Sequence, residues 1–353
     1  MGHDLTIEPL GETIHVEEGQ TILDACLRNG IWLPHACGHG LCGTCKVDVV
    51  DGEVDHAEAS PFALMDFERT DGKTLACTAR LLDDVTIEAE IDEDPDQRRI
   101  AVKDFAATVT AIDDLTHDVK GLRLTLDAGT TIDFQAGQYV NLAIPAVDGT
   151  RAFSIANPPA EHDRVELQVR RVPGGKGTGW VHDTLKVGDR VALTGPYGRF
   201  FVRKSRGGPL LFLAGGTGVS SPRSMILDLL AEGYGAPITL IHGVRTEADL
   251  YDRDLFEGLA AKHPHFRYVP ALSAEPERSD WAGERGFVHE VATRLFDGKF
   301  EGQTAYLCGP PPMIEASIGA LMKGRLFEKH IFTERFLTAS DGAEKKSPVF
   351  RGI

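Results

Sequence analysis

The chain has 353 residues, 42% of them hydrophobic and 25% charged, an ordinary balance for a globular protein with room for two or three cores. No apolar run reaches the roughly 18 residues of a membrane span, and MGHDLTIEPL lacks the basic and apolar regions of a secretory signal, so a cytoplasmic protein is expected. The net charge of −16 is uneven: residues 1–96 hold 22 acidic against 5 basic side chains, and the remainder holds 31 against 32. An acidic surface of that kind repels phosphate backbones and argues against nucleic-acid binding; it either keeps the module soluble or steers it onto a basic partner.

Three segments follow in chain order. From Leu5 to about Asp96, two alternating runs meeting at Gly11 predict a hairpin. Next come a helix over Thr21–Asn29 stopped by Gly30, a cysteine-rich loop, and strands at Lys46–Val50 and Val85–Ile91. The acidic stretch DEDPDQRR reads as a linker. From about Val102 to Arg203, short alternating strands separated by turn residues predict a small antiparallel barrel with one short helix near Gly179–Leu185. From about Gly208 to Phe336, strands and helices alternate, with a last helix at Pro312–Lys323, which predicts a parallel sheet covered on both faces. The expected division is 1–98, 99–205 and 206–336, with a polar tail over 337–353.

CGHGLCGTC is the most specific signal. Cys37, Cys42 and Cys45 have C-x4-C-x2-C spacing, and Cys77 follows in LACTAR, the ligand arrangement of a plant-type 2Fe-2S cluster. Sulfides and thiolates concentrate negative charge, so backbone N–H groups must point inward, and Gly38, Gly40 and Gly43 give the loop that freedom. A structural zinc site would show two C-x2-C pairs, and only Cys42 and Cys45 form one. A disulfide framework conflicts with a cytoplasmic setting. With four cysteines in place, His35 and His39 read as loop residues, and Cys26, on the apolar helix face, as core.

This segment resembles the plant-type ferredoxin domain, a β-grasp fold. RAFSIANPP resembles the R-x-[FY]-S flavin motif of the ferredoxin-NADP reductase superfamily. The resemblance implies that Arg151 pairs with the FAD pyrophosphate, Phe153 packs on the flavin, and Ser154 offers its hydroxyl to flavin N5. GGKGT matches the family's phosphate turn as Gly175, Lys176, Gly177 and Thr178, and LTGPYGRF its G-P-[FY]-G element.

In LLFLAGGTGVSSPRSMI, Gly215, Gly216, Thr217 and Gly218 lie between an apolar strand and a helix, where a doubly wound sheet binds phosphate. Ser221 stands where the third glycine of G-x-G-x-x-G would be, and the run matches the superfamily's G-G-T-G pattern instead. YLCGPPPMI supplies Cys308, Gly309 and Pro310, which the resemblance places beneath the nicotinamide. FTERF resembles the family's C-terminal Glu-x-aromatic, with Glu334 near the hydride path and Phe336 over the flavin, although here the chain runs 17 residues further. Arg245 stands beside Glu247 and Asp249, which favours NADH over NADPH.

Taken together, the chain resembles the reductase components of bacterial multicomponent monooxygenases, phenol hydroxylase reductases above all. That implies a β-grasp 2Fe-2S domain, an antiparallel β-barrel FAD domain and a doubly wound parallel-sheet NAD domain. It also implies electron flow from NADH through FAD and the cluster to an oligomeric diiron hydroxylase, docked through the acidic ferredoxin domain. A Rieske-dioxygenase reductase shares the three modules and a self-sufficient flavin reductase shares two. A redox or nucleotide sensor is the reading from another class.

Overall fold

The computed structural model describes residues 2–91, 94–145, 147 and 149–336; the tail over 337–353 and the linker residues Asp92 and Glu93 lie outside them. The chain divides into two compact units, one ending at Asp104 and one beginning at Phe105.

The first unit opens with the expected hairpin, β1 (His3–Glu8) and β2 (Glu12–Val16), turning through Gly11 at φ 66°. Helix α1 (Ile22–Arg28) begins where the Thr21 hydroxyl accepts the Asp24 N–H at 3.2 Å, and it buries Ile22, Leu23, Ala25, Cys26 and Leu27. There follow β3 (Lys46–Asp51), β4 (Val54–Asp55), α2 (Asp66–Thr70), β5 (Lys73–Leu75), β6 (Arg80–Leu81) and β7 (Val85–Glu88). The main sheet runs β2-β1-β7-β3-β5, with β7 parallel to β1 and the rest antiparallel. That is the mixed sheet and crossing helix of a β-grasp fold. The linker's last residue, Arg99, forks onto Glu12 at 2.7 and 2.8 Å.

The second unit holds two six-stranded sheets. The first comprises β8 (Lys103–Asp114), β9 (Val119–Leu126), β10 (Tyr139–Ala143), β11 (Thr150–Ser154), β12 (Arg164–Arg170) and β13 (Arg190–Tyr197), in the order β11-β10-β13-β8-β9-β12. Its edges are drawn together where the Ala156 N–H donates to the Glu166 carbonyl at 2.8 Å and the Glu166 N–H to Asn157 Oδ1 at 2.8 Å. Alternating apolar residues of its strands, such as Val109, Leu122, Leu124, Val140 and Leu142, form its core. The short helix α3 spans Lys176–Asp183 and so starts three residues before the expected Gly179. The two glycines in KGTG weaken the helix signal, yet Gly175 caps the turn and the chain coils from there.

The second sheet is built from β14 (Leu210–Gly215), β15 (Ile238–Val244), β16 (Phe266–Leu272), β17 (Glu284–Arg285), β18 (Thr304–Gly309) and β19 (Ile331–Arg335). All are parallel, in the order β17-β16-β15-β14-β18-β19. Side chains of β14 alternate between two cores. Leu210, Phe212 and Ala214 pack with α4 (Ser220–Ala231) and α5 (Arg253–Lys262). Leu211 and Leu213 pack with α6 (Val288–Leu295) and α7 (Pro311–Lys323). This is the doubly wound arrangement expected, and the continuous apolar run of β14 reflects burial on both faces. Strand β19 has no counterpart in the sequence reading, because a short edge strand carrying charge lacks a strong pattern.

Candidate functional site

In the first unit the loop after α1 brings the four predicted cysteines together as two pairs. Cys37 lies within hydrogen-bonding reach of Cys42, and Cys45 of Cys77. Backbone N–H groups point at the sulfurs: His39 and Leu41 at Cys37 Sγ, each at 3.4 Å, and Gly40 at Cys77 Sγ at 3.3 Å. Gly38, Gly40 and Gly43 all adopt left-handed φ, 69°, 72° and 74°. A Cβ on Gly40 would also press on the Thr78 methyl at 2.9 Å. Hydrogen bonding from the Cys45 thiol, aided by the Gly40 N–H, pulls the Cys77 thiol down to about 6.

The sulfurs therefore fall as two pairs, Cys37 with Cys42 and Cys45 with Cys77, a division that suits the two irons of a 2Fe-2S cluster. All six cysteines are free. His35 Nδ1 bonds the Leu33 carbonyl at 2.8 Å and its ring packs on Trp32, as befits a loop residue. Cys26 is fully buried in the core.

In the second unit β11 carries Arg151, Phe153 and Ser154 in the predicted run. The Arg151 side chain lies over Gly177 in the first turn of α3, where a Cβ would meet it at 3.1 Å. No side chain caps that helix, and its leading N–H groups stand beside the Arg151 side chain, whose Nη1 donates to the Thr150 carbonyl at 2.7 Å; anions favour such a helix start. Lys176 is exposed at the same turn. The Thr178 hydroxyl is occupied within the loop: it accepts the Val172 N–H at 3.0 Å and faces the Gly175 carbonyl at 3.4 Å. Phe153 rests against the barrel core, and Ser154 is 7% exposed.

The glycine loop over residues 215–218 lies at the carboxyl end of the parallel sheet. Ala214, Cys308 and Glu334 occupy matching positions on β14, β18 and β19. A Cβ on Gly218 would collide with the Cys308 carbonyl, so a glycine is required there for the loop to lie on β18. The Phe336 N–H donates to the Gly309 carbonyl at 2.9 Å, and Pro310 caps α7 beside Gly215.

Glu334 Oε2 is the centre of a polar knot. It accepts from Ser221 Oγ at 2.7 Å and Ser154 Oγ at 3.3 Å, with Cys308 Sγ at 3.6 Å. Burial pushes the Glu334 carboxyl up to about 7, against the pull of those hydrogen bonds. Burial, and then the Glu334 charge, hold the Cys308 thiol well above its ordinary range. Two predicted residues from distant parts of the chain, Ser154 and Cys308, therefore meet at the carboxylate of a third, Glu334. The sequence reading noted Ser221 only as a departure from glycine, and the absence of a third glycine was its sole signal.

Tyr139 was also missed. It pairs with Ser154 across β10–β11, its ring stacks on Tyr197 at 5.6 Å, and burial followed by the Glu334 charge raises its phenol to about 12. Arg245 Nη2 lies 3.7 Å from Asp249 Oδ1, so the basic group after β15 has a carboxylate partner.

A 2Fe-2S iron-sulfur cluster binding domain matches residues 5–82, an oxidoreductase FAD-binding domain residues 106–202, and an oxidoreductase NAD-binding domain residues 212–318. The chain is 60% identical over 355 residues to the reductase component DmpP of phenol 2-monooxygenase from Pseudomonas sp. strain CF600, with 100% of both chains covered. It is 54% identical, again over 100% of both, to the phenol hydroxylase P5 protein of Acinetobacter pittii strain PHEA-2. Among solved structures, the Amycolatopsis cytochrome P450 reductase GcoB superposes with a TM-score of 0.83 at 38% identity, covering 95% of this chain and 98% of that one. Among the described residues no helix is long and apolar enough to cross a membrane. Full-length likeness at this level, with all three cofactor domains in place, shows that the chain belongs to the phenol hydroxylase reductase components, the ferredoxin-NADP reductase-type flavoproteins that carry a 2Fe-2S domain.

Proposed function

We propose that the chain is the NADH-dependent reductase of a multicomponent monooxygenase that acts on phenolic substrates, supplying electrons to an oligomeric diiron hydroxylase in the cytoplasm. When bound, NADH, FAD and the 2Fe-2S cluster together convert one two-electron donation into single-electron deliveries. The observation that carries the reading is the convergence of Ser154, Ser221 and Cys308 on Glu334, in the same chain as a paired four-thiol loop.

In this scheme Cys37, Cys42, Cys45 and Cys77 would hold the cluster, and the N–H groups of His39, Gly40 and Leu41 would offset the charge on sulfur. Arg151 and the turn of Gly175, Lys176 and Thr178 would hold the FAD pyrophosphate, and Phe153 and Phe336 would pack on the flavin. Gly215, Gly216, Thr217 and Gly218 would hold the dinucleotide phosphates, and Cys308, Gly309 and Pro310 would line the nicotinamide site. Glu334, its carboxyl raised by burial to about 7, would exchange a proton in the neutral range, and Ser154 donates to that carboxyl from the flavin strand. The free cysteines support a reducing compartment. The acid-rich first 96 residues support docking of the ferredoxin domain on a basic hydroxylase surface.

Reconstitution tests the partner. Purified reductase, NADH and a phenol hydroxylase diiron component should yield hydroxylated phenol, with a rate that falls steeply as salt is raised. Efficient reduction of a Rieske oxygenase with no turnover of the diiron protein would favour the rival assignment.

A further inference from the structure

His242 and Tyr251 are polar, buried and remote from the Glu334 knot in sequence. His242 sits on β15 opposite Ala214 with no exposed surface, and Tyr251 is 5% exposed. Both aim at one atom: His242 Nε2 lies 3.2 Å and the Tyr251 hydroxyl 3.3 Å from the carbonyl oxygen of Gly216. Their rings meet edge to face, with centroids 5.6 Å apart. A carbonyl only accepts, so the imidazole donates from Nε2, and its Nδ1 is left buried without a partner. An apolar residue would fit this strand position at lower cost, so the imidazole must contribute something beyond packing. Tyr251 is itself pinned by the next residue, since Asp252 Oδ2 accepts the Gln168 amide at 2.6 Å.

Gly216 has left-handed φ, 53°, at the tip of the loop, and the peptide that follows it is trans. In a trans peptide C=O and N–H point in opposite directions. Drawing the Gly216 oxygen inward, toward His242 and Tyr251, therefore turns the Thr217 N–H outward.

We propose that His242 and Tyr251 are positioning residues that lock the Gly216–Thr217 peptide so that the Thr217 N–H faces the dinucleotide phosphate. This rests on reading Gly215–Gly218 as the phosphate loop. Neither side chain touches the nucleotide; they hold the backbone donor that does, and with both donors in place the loop is ordered before NADH arrives.

The test uses the FAD-loaded holoenzyme and variants Tyr251→Phe, His242→Phe and His242→Gln, with NAD+ affinity by titration calorimetry and ligand-free melting temperature. Each Phe variant should weaken NAD+ binding about fivefold, the usual effect of one lost hydrogen bond, and the kinetic loss should fall on the KM for NADH more than on kcat. His242→Gln keeps a donor and should recover most of the affinity. His242→Phe should melt no lower than the parent, because it removes the orphaned nitrogen, and weaker binding without lower stability is what a purely structural role would not give. Gly216→Val provides the control, placing a β-branched residue at a left-handed φ in open space. Unchanged NAD+ affinity in both Phe variants, with weakened binding in Gly216→Val, overturns the lock and leaves the phosphate loop standing. Parent-like binding in Gly216→Val as well would remove the phosphate loop too. Affinity losses that merely track losses in melting temperature would likewise overturn the proposal.

Discussion

The Ser221 hydroxyl donates to Glu334 Oε2 at 2.7 Å, joining the start of α4 to the last strand of the sheet across 113 residues. This bond favours the charged carboxylate, so its removal raises an already elevated pKa. Ser221→Ala should move the pH dependence of NADH-driven flavin reduction upward by about one pH unit, the equivalent of one hydrogen bond to a charged group. Stopped-flow rates from pH 6 to 9 check this, and an unmoved profile would mean that Glu334 does not govern the step.

The same carboxyl carries a stability cost of definite sign. With a folded value near 7 against an ordinary 4.5, Glu334 binds its proton more tightly in the folded state. Its contribution is therefore fully favourable below about pH 4.5 and is lost as pH rises through about 7. Glu334→Gln should remove a penalty of up to roughly 3 kcal/mol above pH 7, flatten the fall in melting temperature between pH 5 and 8, and impair flavin reduction. A mutant whose melting temperature falls with pH as steeply as the parent's would contradict the raised value.

Cys77→Ser removes one member of the Cys45–Cys77 pair. The cluster's EPR signal and one-electron delivery to cytochrome c should disappear, whereas flavin bleaching by NADH should proceed at near the parent rate, since the flavin and nucleotide residues lie in the other unit. Loss of both activities would contradict independent units.

Coenzyme choice is open to a single substitution. Asp249 accepts the N–H and hydroxyl of Thr246, each at 2.9 Å, and faces Arg245. Asp249→Asn keeps an acceptor for the turn but releases Arg245 to a 2′-phosphate, and should raise the NADPH/NADH ratio of kcat/KM about tenfold. An unchanged ratio would place coenzyme selection elsewhere.

Cluster and fold were legible because their signals are local. The spacing of Cys37, Cys42 and Cys45 lies within nine residues, and Gly38, Gly40 and Gly43 report the loop's backbone geometry directly. The glycine loop after β14 was legible for the same reason. What the sequence hid is made by long-range register. Ser154 and Glu334 are 180 residues apart and meet because β11 and β19 end at the same place. Tyr139 enters only through its pairing with Ser154, and His242 looks like any residue of an apolar strand. Ser221 was visible as a missing glycine, but its purpose depends on β19, an edge strand too short and too charged to announce itself.

An anaerobic NADH titration of the purified protein, followed by visible and EPR spectra in one sample, tests the central claim most directly. Bleaching of bound FAD together with the rhombic signal of a reduced 2Fe-2S centre is the expected result. Flavin bleaching with no iron signal after iron and sulfide loading, or zinc in the four-cysteine loop, would contradict it.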